Sequence, residues 1–140
     1  MIYKNWQAGV ILASLLAAGC SRQKTIDKDR MRSHLRSAMS FNAETDLYVD
    51  YVRQGRATRH YAQEHAAYLE EALSRSAKEL EEGVAAPGIE NALSECKAQL
   101  RLLRNELSSL RRTSDNNALN TAKQNLTKIR ESLEKTNSHL

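Results

Sequence analysis

The chain has 140 residues, 21 of them basic and 17 acidic, for a formal net charge of +4. That length suits one domain with one core. Five glycines, a single proline (Pro87) and 5% aromatics are the profile of a helical protein with few tight turns, and exclude a low-complexity chain.

The first segment in chain order is apolar. Lys4 supplies one positive charge, Ala8 to Ala18 an apolar run, and Leu15-Leu16-Ala17-Ala18-Gly19-Cys20 ends that run in small residues and a cysteine. A run of about eleven residues has the length of a signal segment and is too short for a spanning helix of about twenty. This arrangement resembles the signal peptide of a bacterial lipoprotein. Its one departure is Ala17 three places before the cysteine, where Leu is usual, with Leu16 displaced one step upstream. The resemblance covers roughly the first 21 residues. It implies export, cleavage between Gly19 and Cys20, and lipid attached to Cys20. Two or three acyl chains, each buried methylene contributing about 0.8 kcal/mol, would make the tether effectively permanent. In a Gram-negative host, Ser21 in place of Asp resembles the outer-membrane class, facing the periplasm.

Cutting the 140-residue chain after residue 19 leaves 121, and only Lys4 is lost from the 21 basic residues, so 20 stand against 17 acidic. Export removes most of the case for a nucleic-acid partner that a high pI would otherwise make. No second long apolar stretch follows. Ser21 to Ile26 reads as a short polar tether, so the expected organisation is a cleaved signal over 1–19, a lipidated tether over 20–26 and a helical domain over 27–140.

The first expected helix runs from about Asp27 to Gln54, on Met31, Leu35, Ala38, Met39, Val49 and Val52, with Asn42 and Thr45 interrupting its seam. Gly55 then reads as a helix-ending residue and Thr58 as an N-cap. The other reading keeps Gly55 inside one long helix, at about 1 kcal/mol relative to Ala. The second expected helix, Thr58 to Glu82, carries Ala62, Ala66, Leu69, Leu73, Ala77 and Leu80 on one face, with Glu71 and Arg75 paired outside and Gly83 as its stop.

The remaining residues form the clearest pattern. Ile89, Leu93, Cys96, Leu100, Leu103, Leu107 and Leu110 alternate in steps of four and three, and so do Leu119, Ala122, Leu126, Ile129, Leu133, Thr136 and Leu140. Each is a heptad seam. The turn-forming residues between Arg112 and Asn117 make the two helices antiparallel. Pro87 suits the first turn of the earlier one, and Glu131–Lys135 is a well-oriented pair on the later one. The fold expected is all-α: an up-down bundle of four helices with a heptad-patterned C-terminal hairpin. The same heptads would also suit a homodimer.

Functional residues are sparse. An up-down bundle tethered at its N-terminus would carry Arg53, Arg56, Arg59, His60, Arg111 and Arg112 at its far end. This basic cap would bind an acidic protein or cell-wall partner, or simply keep the protein solvated. Tyr61, His65 and Tyr68 share a helical face, either as packing or as the wall of a small-ligand groove. Cys96 falls on a seam, where core filling competes with an intermolecular disulfide. No Glu-x-x-His pair, Cys-x-x-Cys-His, Gly-x-Ser-x-Gly or phosphate loop occurs. No catalytic residue, metal ligand or cofactor is therefore assigned. A Met39–His65 axial pair for haem is the weakest of the readings retained. The expected function is a non-catalytic structural, adaptor or assembly role at the envelope, with a small-ligand, metal or haem binder as the alternative. Lipid-tethered bundles that escort secretion-channel subunits are analogous in architecture only.

Overall fold

The computed structural model describes residues 24–112 and 115–140; the signal-like segment with Gly19 and Cys20 lies outside the described residues. The chain is an all-α four-helix bundle. Its elements in order are β1 (Thr25–Ile26), α1 (Lys28–Arg53), α2 (Arg59–Glu81), β2 (Val84–Ala85), α3 (Glu90–Arg112) and α4 (Asn116–Ser138). Neighbouring helices run antiparallel. Arg32, early in α1, donates to the carbonyl of Leu140 at 3.1 Å, while Lys123, early in α4, reaches Asp50 at 2.9 Å.

Local chemistry sets the helix ends. Asp27, Thr58 and Asp115 each accept, through a side-chain oxygen, the backbone N–H three residues on, at 2.8, 3.2 and 2.7 Å, which satisfies an N–H that the helix cannot. Gly55 adopts φ +67°. Its N–H donates to the Val52 carbonyl at 3.0 Å and that of Arg56 to the Tyr51 carbonyl at 3.2 Å, the pair of bonds that closes a helix on a left-handed residue. Residues 27–82 are therefore two helices joined by a turn.

The seams meet in one core. All seven expected seam residues of α3, and Leu119, Ala122, Leu126, Ile129 and Leu133 of α4, are buried, with Leu140 packed against the edge. The seam of α1 runs straight through its polar positions: Asn42 and Thr45 are themselves buried. Thr45 Oγ1 donates to the Phe41 carbonyl at 2.8 Å, whereas Asn42 Oδ1 has no hydrogen-bond partner among the described residues.

Four expectations need correction. Thr25–Ile26 is not a free tether. It pairs in parallel with Val84–Ala85, and Ile26 is in the core, because an isoleucine beside a helix junction gains more by burial than by hydration. Gly83 does follow the C-cap Glu82 at the end of α2, as a stop should, but without the left-handed conformation; the positive-φ glycines among the described residues are Gly55 and Gly88. Gly83 is needed for close approach instead. A Cβ there would overlap Ile26 Cδ1 and lie 2.7 Å from Ile26 Cγ1. Pro87 sits in the turn before α3 and not in its first helical turn; Glu90 caps that turn by accepting the Gly88 N–H at 2.9 Å. On α4 the ion pair is Arg130–Glu134, at 3.9 Å, in place of Glu131–Lys135.

Gly83→Ala is expected to lower unfolding stability by about 1–3 kcal/mol, the usual cost of overpacking. Asn42→Leu, which removes an unpartnered buried oxygen at similar shape, is expected to raise it by about 1 kcal/mol. The urea midpoint measures both.

Candidate functional site

The chain enters the described structure at Lys24, beside the α2–α3 junction, and the α1–α2 and α3–α4 connections lie at the opposite end. There Arg59, Arg111 and Arg112 line one open groove of about 480 Å³ with Val52, Ala57 and Asp115. The antiparallel hairpins thus bring together arginines more than fifty residues apart in sequence. The six basic residues expected at this end are not equivalent. Arg111 is paired with Glu70 at 2.8 Å and Arg53 with Asp50 at 3.2 Å. Arg112 donates to the neutral Ser108 hydroxyl at 3.1 Å and keeps its charge uncompensated by that contact. Arg56, Arg59 and His60 are exposed.

Beneath this end, Lys123 bridges Asp46 at 2.7 Å and Asp50 at 2.9 Å. Burial pulls its ammonium down, and the two carboxylates more than offset that, so its pKa lies above the ordinary lysine value. Asp50 Oδ1 faces Arg53 as an ion pair without hydrogen-bond alignment and has no other partner among the described residues. The Asp46/Asp50 spacing places both carboxylates on one face of α1. Nothing local in the sequence identifies Lys123, 73 residues beyond Asp50, as their partner.

Along α1 and α2 an aromatic strip runs toward the same end. Tyr51 meets Tyr61 edge-on at 6.0 Å, Tyr61 stacks on His65 at 5.7 Å and 7°, His65 on Tyr68 at 6.2 Å, and Tyr48 tilts against His65 at 5.5 Å. Tyr48 is the packing residue: it is buried and its hydroxyl donates to the Ala62 carbonyl at 2.8 Å. The others keep much of their surface, Tyr51 42%, Tyr61 50% and Tyr68 59%, and Leu47 beside them 69%. Among the described residues the only other large apolar side chains so exposed are Val84 and Leu102, so the exposed apolar surface is concentrated here. The depression among Glu44, Leu47, Tyr48, Tyr51, Tyr61 and His65 holds about 230 Å³, short of the roughly 300–1,000 Å³ of a small-ligand pocket. The strip is therefore a surface and not a cavity. Sequence reasoning found Tyr61, His65 and Tyr68 by their spacing and missed Leu47, which lies outside the α1 seam.

Among the described residues no group of three or more His, Cys, Asp or Glu side chains could hold a metal ion. Met39 lies nine residues from Tyr48, the α1 neighbour of His65, and so about 13 Å away along the helix; the two cannot bind one iron. The adjacent carboxylates are engaged in ion pairs. Glu70 holds Arg111, Glu71 holds Arg75, Glu82 approaches Lys78, and Glu81 holds Arg101 at 2.9 Å. The hydrogen bond from Arg101 keeps the Glu81 carboxyl below its usual value, the opposite of what a proton donor near neutral pH requires. Cys96 is fully buried on the α3 seam, and burial, with Glu95 adding to it, pushes its thiol up to about 12.

No protein-family model matches the chain, nor does any curated protein or solved structure.

At pH 8 a thiol far below its pKa is almost wholly protonated, and only the thiolate reacts. Cys96 in the folded domain is therefore expected to resist a disulfide reagent that labels it fully in denaturant, and gels without reductant should show no cross-linked dimer. Native labelling within minutes would place Cys96 outside the core.

Proposed function

We propose that this chain is a lipid-anchored envelope lipoprotein, cut before Cys20, that presents the far end of its helical bundle to an acidic partner in a non-catalytic adaptor or assembly role. The observation that carries the reading is the separation of the two ends. At one end Lys24 is held to the bundle, its carbonyl accepting the Val84 N–H at 3.2 Å while Ile26 is buried. Four chain steps separate Lys24 from Cys20, a reach of at most about 14 Å. From there the 26 residues of α1 extend about 39 Å. At its far end the groove of Arg59, Arg111 and Arg112 opens, beside Arg56 and the aromatic strip.

A protein so tethered keeps its near end against the lipid and the arginines of the tip away from it. Tyrosine and arginine are among the residues enriched where protein partners bind. The heptad seams are buried within the chain, which supports a single-chain bundle over a heptad-driven homodimer. Ser21 favours the outer membrane if the host is Gram-negative. The small-ligand, metal or haem alternative has weaker support, given the shallow depression and the separation of Met39 from His65.

Intact mass of protein extracted from membranes tests the anchor. The expected species begins at Cys20 and carries acyl groups that a Cys20→Ser variant lacks. An unlipidated chain starting elsewhere would overturn the tethered reading. Reversing Arg56, Arg59 and Arg112 to Glu should abolish recovery of the partner from cross-linked envelopes, with the thermal midpoint changed by less than about 2 °C because the three side chains are exposed.

A further inference from the structure

The ion pairs between α2 and α3 are unevenly matched. Toward the tip Glu70 meets Arg111 one to one, at 2.8 Å. Toward the other end Glu81 meets Arg101 at 2.9 Å, and beside that pair lies an open groove of about 260 Å³ with Leu73, Ala77 and Leu100 as its floor. Lys78 enters the groove from α2, and Lys97, Arg101 and Arg104 enter it from α3. Steps of four and three set those last three on one helical face. Glu81 is the one acidic residue lining the groove among the described residues.

These cations are short of counter-charge. Lys97 and Lys123 are covered to a similar degree, with 20% and 26% of the side chain exposed. Lys123 holds two carboxylates, at 2.7 and 2.9 Å. Lys97 has among the described residues Glu81 alone, at 4.0 Å, and Arg101 already binds that carboxylate. Arg104 forms no ion pair among the described residues and acts on Glu81 from farther off. Lys78 approaches Glu82 at 3.8 Å, outside the groove. Even with Glu82 included, four cations stand against two carboxylates, an excess of two charges. Like charges gathered over an apolar floor repel, and an anion seated among them removes that cost.

We propose that this groove binds a phosphate dianion, free or as a monoester. Charge is the first argument: such a group carries about −1.5 to −2 at pH 7, which matches the excess, whereas one carboxylate would leave about half of it. Donor geometry is the second. Two guanidinium forks and two ammonium groups approach from two helices, and arginine forks take phosphate oxygens in pairs. Size is the third: the groove is smaller than the roughly 300–1,000 Å³ of a small-ligand pocket, so it encloses one charged group and not a whole ligand. The site lies apart from the tip groove of Arg59, Arg111 and Arg112. It depends neither on a partner at the tip nor on the lipid anchor.

Calorimetric titration of the purified full chain, in neutral detergent at low ionic strength, tests the site with inorganic phosphate and with phenyl phosphate. One saturable site is expected for each; tighter binding of phenyl phosphate would identify the ligand as an apolar monoester, and equal binding as free phosphate. Arg104→Gln should weaken binding about tenfold or more. Glu81→Gln should tighten it, because Arg101 and Lys97 are then free to turn to the anion. Arg75→Gln, whose arginine pairs with Glu71 outside the groove, should change it less than about twofold. All three positions are exposed, so helicity by circular dichroism should be unchanged. Absence of saturable binding for both probes overturns the proposal. So do acetate binding as tightly as phosphate, wild-type affinity in Arg104→Gln, and weaker binding in Glu81→Gln.

Discussion

Six side chains of α3, from Leu93 to Leu110, together with Ile89 just ahead of it, are buried in the core that the four helices share. Each buried leucine contributes about 1.5–3 kcal/mol relative to exposure, and a seam without a gap leaves no polar group to satisfy. The remaining helices take their places from this one. Helix α4 returns along it because the connection is short, α2 reaches it through Leu69, Leu73 and Leu80, and α1 closes the far side through Met31, Leu35 and Val49. Cys96 belongs to the same seam, which explains an unpaired thiol: it is a small apolar filler whose burial suppresses the reactive form.

Helix α1 is the least regular contributor, and its irregularities are physical. Asn42 and Thr45 occupy positions where the heptad rule calls for leucine, yet both are buried. Thr45 satisfies itself on its own helix. Asn42 leaves an oxygen without a partner, a desolvation cost of about 1–3 kcal/mol. A single buried polar group of this kind commonly sets helix register. Farther along α1, aromatic rings replace aliphatic packing against α2, and the surface between the two helices stays partly apolar. The stability given up along α1 and the exposed strip on α1 and α2 are two aspects of one helix that is not optimised for packing alone.

Charge is distributed by the same geometry. Several ion pairs lie on exposed flanks, as with Glu71–Arg75 and Glu81–Arg101, where each contributes at most about 1 kcal/mol. Their larger effect is to neutralise much of the sides of the bundle. At the tip the balance changes: Glu70 and Asp50 engage Arg111 and Arg53, while Arg56 and Arg59 face water. A basic end beside an apolar strip is thus a property of the assembled bundle, not of overall composition, whose excess is only +4.

The helices and much of their packing were legible in the sequence because helix periodicity and capping act over a few residues. The seams of α3 and α4, the N-cap at Thr58 and the turn at Gly55 all arise within one or two turns of chain. The grouping of Arg59 with Arg111 and Arg112 was legible as well, since short links force antiparallel neighbours. What could not be read there depends on contacts between distant segments. The role of Gly83 is set by Ile26, 57 residues earlier in the chain; the pairing of residues 24–26 with 84–86 has no local pattern; Lys123 finds its aspartates on another helix. The exposure of Leu47 and Tyr68 likewise follows from how α1 and α2 turn toward each other. The sequence by itself determined four amphipathic helices, because alternation and caps are local physics. Only the tertiary structure decided which arginines stay unpaired and which tyrosines stay in water, because those outcomes depend on what each side chain meets across the bundle.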